Sequence, residues 1–191
     1  MLSSMLGSLR PFLRSTGAPL ALACALAAGS AAAEPTYKIA YIDPLSGPFA
    51  NVGELMLNHI QYAVDEINAN GGMLGGTKFE LLKFDSKLSA QESLLALQAA
   101  IDQGARVVLT GGSGSSVVAA LVGAVNKHNE RNPDARVLVL NHSSIDPDLT
   151  GKNCSFWHFQ LEANTAMKMK AIANYIKTQA AIKKVYLLRA C

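Results

Sequence analysis

Apolar and polar positions follow two rhythms along residues 37–141. Tyr37–Ile42 (YKIAYI) is an apolar run of strand length. In the following ELMLNHIQYAVDEINANGG, Met56, Ile60, Val64 and Ile67 recur at helical spacing, and Gly71-Gly72 supplies a stop. KFELLKFD (78–85) reads as a second strand. Ser89-Ala90-Gln91-Glu92 then has the form of a capping box ahead of Leu94, Leu97 and Ile101, with Gly104 closing the helix. RVVLTGGSGSSVVAALV (106–122) runs from strand through a Gly/Ser turn into a helix, and ARVLVLN (135–141) is a fourth strand. This βαβαβαβ order predicts an α/β fold, a doubly wound parallel sheet with right-handed crossovers covering both faces.

Beyond Thr150 the rhythm changes. SFWHFQ (155–160) is an extended aromatic run, a helix from Asn164 turns Met169, Ile172 and Ile176 inward, and KKVYLL (183–188) reads as another strand. A second βα series begins here, which divides the chain into an N-terminal unit over 34–160 and the start of a second over 161–191. Trp157 and Phe159 have the chemistry to stack on a ligand, but aromatics in an apolar strand are more often core. No internal repeat or low-complexity linker follows residue 33.

Parallel sheets gather ligands at the carboxyl ends of their strands. The loops DPLSGPFANVG (43–53), FDSK (84–87), TGGSGSS (110–116) and NHSSIDPDLTG (141–151) are therefore expected along one edge. In the third, Ser115 or Ser116 is placed as an N-cap, and the unpaired N–H groups of the helix start suit an anion. Three nucleotide or enzyme patterns fail on this stretch. The dinucleotide fingerprint lacks its third glycine and its acid, because Val117 follows and the next strand ends in Asn141. The P-loop lacks Gly-Lys-Ser/Thr, and the nucleophile elbow has Ser115 where its second glycine belongs. A small-residue turn that merely packs helix on strand is the other reading of this segment.

Charge and composition set the compartment and narrow the partners. Arg10 and Arg14 precede the alanine-rich run APLALACALAAGSAAA, and Ala31-Ala32-Ala33 gives a small-x-small cleavage pattern before Glu34. Residues 1–33 thus have the form of a secretory signal peptide, cleaved after Ala33, that exports the chain. The apolar core falls short of the roughly 20 residues of a membrane span. Lipoprotein processing at Cys24 fits badly, with Leu22 two places before it. Loss of Arg10 and Arg14 leaves 15 of 17 basic residues against 14 acidic ones. The near-neutral remainder has no basic patch, so no nucleic acid partner is expected. Cys154 and Cys191 stay in an oxidising compartment, where a bridge is possible but spacing does not establish one. The histidines, at 59, 128, 142 and 158, are too scattered for a metal pattern, and no cofactor is indicated.

Taken together, YKIAYIDPLSGPFANVG, INANGGMLGG, FDSKLSAQES, TGGSGSS, LNHSSIDPDLTGKN and KKVYLL resemble the periplasmic substrate-binding proteins of ABC transporters. The branch is the one that includes the leucine/isoleucine/valine-binding proteins. The resemblance implies a type 1 periplasmic binding fold, two α/β lobes closing on a small ligand, and an ABC permease in the inner membrane as partner. It places Ser113, Ser115 and Ser116 at the ligand carboxylate, and the loop of Asn141, Ser143 and Ser144 at the amino-acid end. The ligand the resemblance implies is a branched-chain or similar neutral amino acid, or a related carboxylate; Val52 stands where branched-chain binders often carry an aromatic, a departure that leaves the side-chain specificity open. Family members continue past KKVYLL, whereas Arg189-Ala190-Cys191 follow here, so truncation within the second lobe and impaired capture are expected. Two alternatives stand beside this non-enzymatic reading: a ligand-sensing receptor domain of the same fold, and a serine hydrolase using Ser115 or Ser116 with His142 and Asp146.

Overall fold

The structure, a computed structural model, describes residues 36–73 and 76–188. Residues 1–33, the expected signal peptide, and Cys191 lie outside them. The elements are β1 (Thr36–Asp43), α1 (Ala50–Ala69), β2 (Lys78–Asp85), α2 (Ala90–Asp102), β3 (Val107–Thr110), α3 (Ser115–Arg131), β4 (Leu138–Asn141), β5 (His158–Gln160) and α4 (Thr165–Thr178). Short 3-10 turns at Gly47–Phe49 and Pro147–Leu149 precede α1 and follow β4. All strand pairs are parallel, in the order β2-β1-β3-β4-β5. The expected α/β architecture is thus present, and its strand order reverses between β1 and β3.

Alternation along the strands divides the core. Ala40 and Ile42 of β1 point with Val108 and Val139 toward α2 and α3, where they join Leu97, Val118, Leu121 and Val125. Tyr41 points the other way and donates its phenol hydrogen to Gly53 O of α1 at 2.8 Å. Complete burial of these apolar groups is the main stabilising term, about 1.5–3 kcal/mol for each valine, leucine or isoleucine. On the α1 face the rung Tyr41–Leu109–Leu140–Phe159 loses cover toward β5, and Phe159 is 48% exposed. Trp157 packs against the core with Arg136 over its ring at 5.2 Å, at the amino end of the strands and away from the loop edge.

Two asparagines fasten crossovers to the sheet. Asn68 donates from Nδ2 to Phe79 O (2.9 Å) and accepts from Phe79 N at Oδ1 (2.8 Å). Asn129 repeats this with Val137, at 2.9 and 2.8 Å. Each side-chain amide completes the donor and acceptor of a strand residue before or at the start of the ladder.

Several expectations are corrected. Ser115 and Ser116 are the first two residues of α3 rather than its cap. Gly114 holds the cap position at φ 93°, so the chain enters the helix through a left-handed glycine with no side-chain bond. In α2 the first half of the capping box forms, Ser89 accepting from Glu92 N at 3.4 Å, while Glu92 turns to Lys87 instead. On α1 only Gly53 and Val64 are buried, and Ile67 is exposed. Met169 and Ile172 of α4 are exposed, although Asn164 caps that helix by accepting from Met167 N at 3.0 Å. Lys183–Leu188 forms no strand, and Leu188 is 100% exposed. A strand needs a neighbour to bond its backbone, and among the described residues none lies beside this one.

His158 of β5 is buried, and its Nε2 has no partner among the described residues. Burial pushes its pKa below 6.5, against a smaller upward pull from a hydrogen bond to the Leu149 backbone. A depressed folded-state value means that its contribution is complete above the unfolded pKa and is lost as pH falls below it. The urea midpoint is expected to drop as pH is lowered from 7 to 5, and His158→Phe to flatten that drop. An unchanged slope in the variant would remove His158 as its source.

Candidate functional site

The strand order reverses between β1 and β3, and in doubly wound folds ligands usually sit at the carboxyl edge of the sheet beside such a point. The register Asp43↔Asp85 and Thr110↔Asn141 brings all four loops to that edge, as the strand order predicts. They are bonded to one another. Ser86 N donates to Asp43 O at 3.0 Å, Ser86 Oγ lies 2.6 Å from Ser113 Oγ, and Ser144 Oγ donates to Gly111 O at 2.9 Å.

Asp43 is the centre of this network and is fully buried. Its Oδ1 accepts from Gly111 N (3.1 Å), Ser113 N (3.2 Å), Thr110 Oγ1 (3.3 Å) and Ser113 Oγ (3.4 Å). Its Oδ2 accepts from His142 Nε2 at 2.7 Å, and the His142 ring stacks on Tyr41 with centroids 6.2 Å apart. Burial and then the Asp43 charge push the Tyr41 phenol far above its ordinary range, which keeps it a donor. Gly112 is constrained as well, because a Cβ there would stand 3.2 Å from Asp43 Oδ2.

Asp85, one strand over, accepts from Leu45 N and Lys87 N, each at 2.9 Å. Burial acts to raise its pKa, but hydrogen bonds from Ser46, Leu45 and Lys87 outweigh that and hold the carboxyl below the usual range. The loop it braces carries two consecutive non-glycine residues at positive φ, Lys87 at 47° and Leu88 at 56°.

The candidate residues therefore divide. Ser113 gives its amide and hydroxyl to Asp43. Ser115 and Ser116 open α3, whose first i→i−4 bond runs from Val118 N to Gly114 O at 3.2 Å. The amides of Ser115, Ser116 and Val117 precede that bond and form the donor set at the helix start. Asn141 is buried; its Oδ1 accepts from Ser143 N (3.3 Å) and Ser144 N (2.8 Å), and its Nδ2 donates to Ser144 O (2.9 Å). It shapes the loop, as does buried Ser144, while Ser143 is exposed. Val52 stands exposed in the first turn of α1, at 46%.

The hydrolase arrangement is absent. His142 Nε2 faces Asp43 rather than a serine, and Asp146 accepts from Asp148 N at 2.9 Å to cap the Pro147–Leu149 turn. Asp43 and His142 escape a reading of the sequence because they meet across 99 positions. The only local signal is a carboxylate closing an apolar strand. A separate groove of about 380 Å³, lined by α3 residues Val122 and Asn126 with Leu149 and exposed Cys154, contains none of the candidate residues. No helix among the described residues is long and apolar enough to cross a membrane.

Comparison with known proteins bears on this geometry directly. The model of the periplasmic binding protein family matches residues 36–190. The chain belongs to this family. It is 38% identical over 170 residues to Leu/Ile/Val-binding protein homolog 4 of Brucella abortus, covering 89% of the chain and 40% of that relative. The Leu/Ile/Val-binding protein of Escherichia coli K12 is 26% identical over 133 residues, 70% of the chain and 34% of the relative. Among solved structures, the leucine-, isoleucine-, valine-, threonine- and alanine-binding protein of Brucella ovis, in a closed conformation, aligns with a TM-score of 0.70 at 36% identity, over 76% of this chain and 37% of that one. A branched-chain amino acid transporter substrate-binding protein from Streptococcus pneumoniae, solved with isoleucine, aligns at 0.62 and 26% identity over 74% and 38%. The chain thus spans about 40% of the length of the curated relatives it matches best among these. Family membership is in binding proteins, not hydrolases.

Proposed function

We propose that this chain is the ligand-binding first lobe of an extracytoplasmic solute-binding protein. The ligand is a small neutral amino acid, branched-chain or similar, or a related carboxylate, passed to an ABC permease in the inner membrane. The leader of residues 1–33, cleaved after Ala33, takes the chain to the periplasm. The reading is carried by the donor set at the start of α3, which offers Ser115, Ser116 and Val117 amides at the sheet's point of reversal without a lysine or arginine. Backbone donors and the helix dipole suit a carboxylate. The relatives whose names specify leucine, isoleucine and valine supply the ligand class. Asn141 and Ser144 are buried behind the surface, while Ser116, Ser143 and Val52 are the exposed residues of the proposed set.

Titration of leucine, isoleucine and valine into the secreted chain tests this, read by the amide resonances of residues 115–117. Saturable shifts are expected with at least one of them. The Ser115→Ala/Ser116→Ala double variant is expected to weaken binding by about 1–3 kcal/mol, the usual value of charge-assisted hydroxyl contacts. Unchanged affinity would return the turn to a packing role.

A further inference from the structure

The loop after β2 is held in a conformation that its residues do not favour. Lys87 and Leu88 follow one another at φ 47° and 56°, in the left-handed region where a side chain strains the backbone. Such strain persists only where the surroundings over-determine it. Here Asp85 Oδ1 accepts from Leu45 N and Lys87 N, Ser86 N donates to Asp43 O at 3.0 Å, and Ser89 N donates to Ser86 O at 2.9 Å. The loop so formed holds a fully buried Ser86 whose Oγ accepts from Leu88 N at 3.4 Å and lies 2.6 Å from Ser113 Oγ in the Gly/Ser turn. A serine hydroxyl has one proton to give. If Ser113 gave its proton to Ser86, the Ser86 proton would have no acceptor among the described residues, and Asp43 Oδ1 would lose the Ser113 hydroxyl 3.4 Å away. The opposite sense satisfies every member: Leu88 N–H to Ser86, Ser86 O–H to Ser113, Ser113 O–H to Asp43.

We propose that Ser86 is a positioning residue for the ligand site, and that the hydroxyl chain running through it fixes the Gly/Ser turn and commits the Ser113 proton to the interior. This rests on the reading that the turn receives the ligand carboxylate. Positions 111, 112 and 114 are all glycine, and Gly114 sits at φ 93°. Ser113 is therefore the one residue of that stretch through which a side chain can hold the turn. Its hydroxyl is engaged on both sides, accepting from Ser86 and donating to Asp43. The hydroxyl of Ser113 is then not a ligand contact, and the carboxylate is met by the amides of residues 115–117 and the hydroxyls of Ser115 and Ser116. A turn fixed before the ligand arrives does not have to be ordered by it, so the tie to Ser86 raises affinity without touching the ligand.

A double-mutant cycle on the whole chain tests this, with acetate and leucine as probes and the amide resonances of residues 115–117 as readout. Ser86→Ala and Ser113→Ala are each expected to weaken binding about fivefold, the effect of one net hydrogen bond. The double variant should lose no more than either single one, because each substitution breaks the same chain. Ser86→Thr keeps the hydroxyl and is expected to recover most of the affinity; where its added methyl prevents folding, the cycle decides. Losses that add, with Ser113→Ala the larger, would make the Ser113 hydroxyl a direct ligand contact and overturn the proposal. So would a Ser86→Ala chain whose urea midpoint falls while its folded form binds as before, since that is a role in stability alone. A measurement without ligand separates the tie from the reading it rests on. Ser86→Ala is expected to speed hydrogen exchange at the Gly111 and Ser113 amides and to shift those of residues 115–117. That change in a chain that binds neither probe removes the carboxylate reading and leaves the tie. Binding of either probe that Ser86→Ala leaves unaltered, with the amides unmoved, removes the tie and leaves the reading.

Discussion

Asp43→Ala is expected to cost about 3–5 kcal/mol, the range found when one member of a buried hydrogen-bonded charge pair is deleted. The loss comes less from the carboxylate's own bonds than from the groups it leaves behind. Gly111 N, Ser113 N, the Thr110 hydroxyl and His142 Nε2 all lose their acceptor inside a site with little room for water. A typical domain holds only about 5–15 kcal/mol in all, so the loss would remove a large share of the total. Urea unfolding followed by circular dichroism gives the number. A cost under about 1 kcal/mol would show that the network relaxes around the gap and that Asp43 does not organise the loops.

Gly53→Ala is expected to do comparable damage for a steric reason. A Cβ at this position would lie 1.8 Å from Pro44 O, a backbone atom that no rotamer change can move aside. Helix α1 would have to withdraw from the loop after β1, which also pulls the Gly53 carbonyl from the Tyr41 hydroxyl. About 3 kcal/mol or more is expected, at the upper end of overpacking costs. Gly123→Ala in α3 is the matched control: its Cβ meets nothing within 4 Å, and replacing a helix-interior glycine there should stabilise by about 0.4–1 kcal/mol. If both substitutions shift the midpoint alike, close approach at Gly53 is not what selects glycine.

The sheet was legible because strands buried on both faces read as apolar runs. Val107–Thr110 and Leu138–Asn141 declare themselves in this way, and the intervening helical spacings force a parallel order. The carboxyl edge followed from that order alone. Two kinds of feature were not legible. Asp43 opens a loop of proline, serine and glycine, and nothing local distinguishes it from a solvated acid; its donors lie 67 to 99 positions away. Lys183–Leu188 has strand composition, but composition cannot supply the neighbour that a strand requires. The serines of the turn fall between these cases. Their location at the helix start was readable, whereas the split between Ser113 facing inward and Ser115 opening α3 depends on the left-handed glycine between them.

The Asn129 contact with Val137 has a bearing on how the chain tolerates added sequence. Because the two residues are tied at 2.8 and 2.9 Å, the distance between the ends of the Glu130–Arg136 excursion is fixed by the clamp and not by the excursion's own length. A peptide tag or a small guest domain inserted between Pro133 and Asp134, both exposed, would lengthen a loop whose closure is already secured. Each doubling of such a loop costs only about 0.6 kcal/mol. That position is where a fluorescent reporter belongs if capture of a solute is to be followed without disturbing the opposite edge of the sheet.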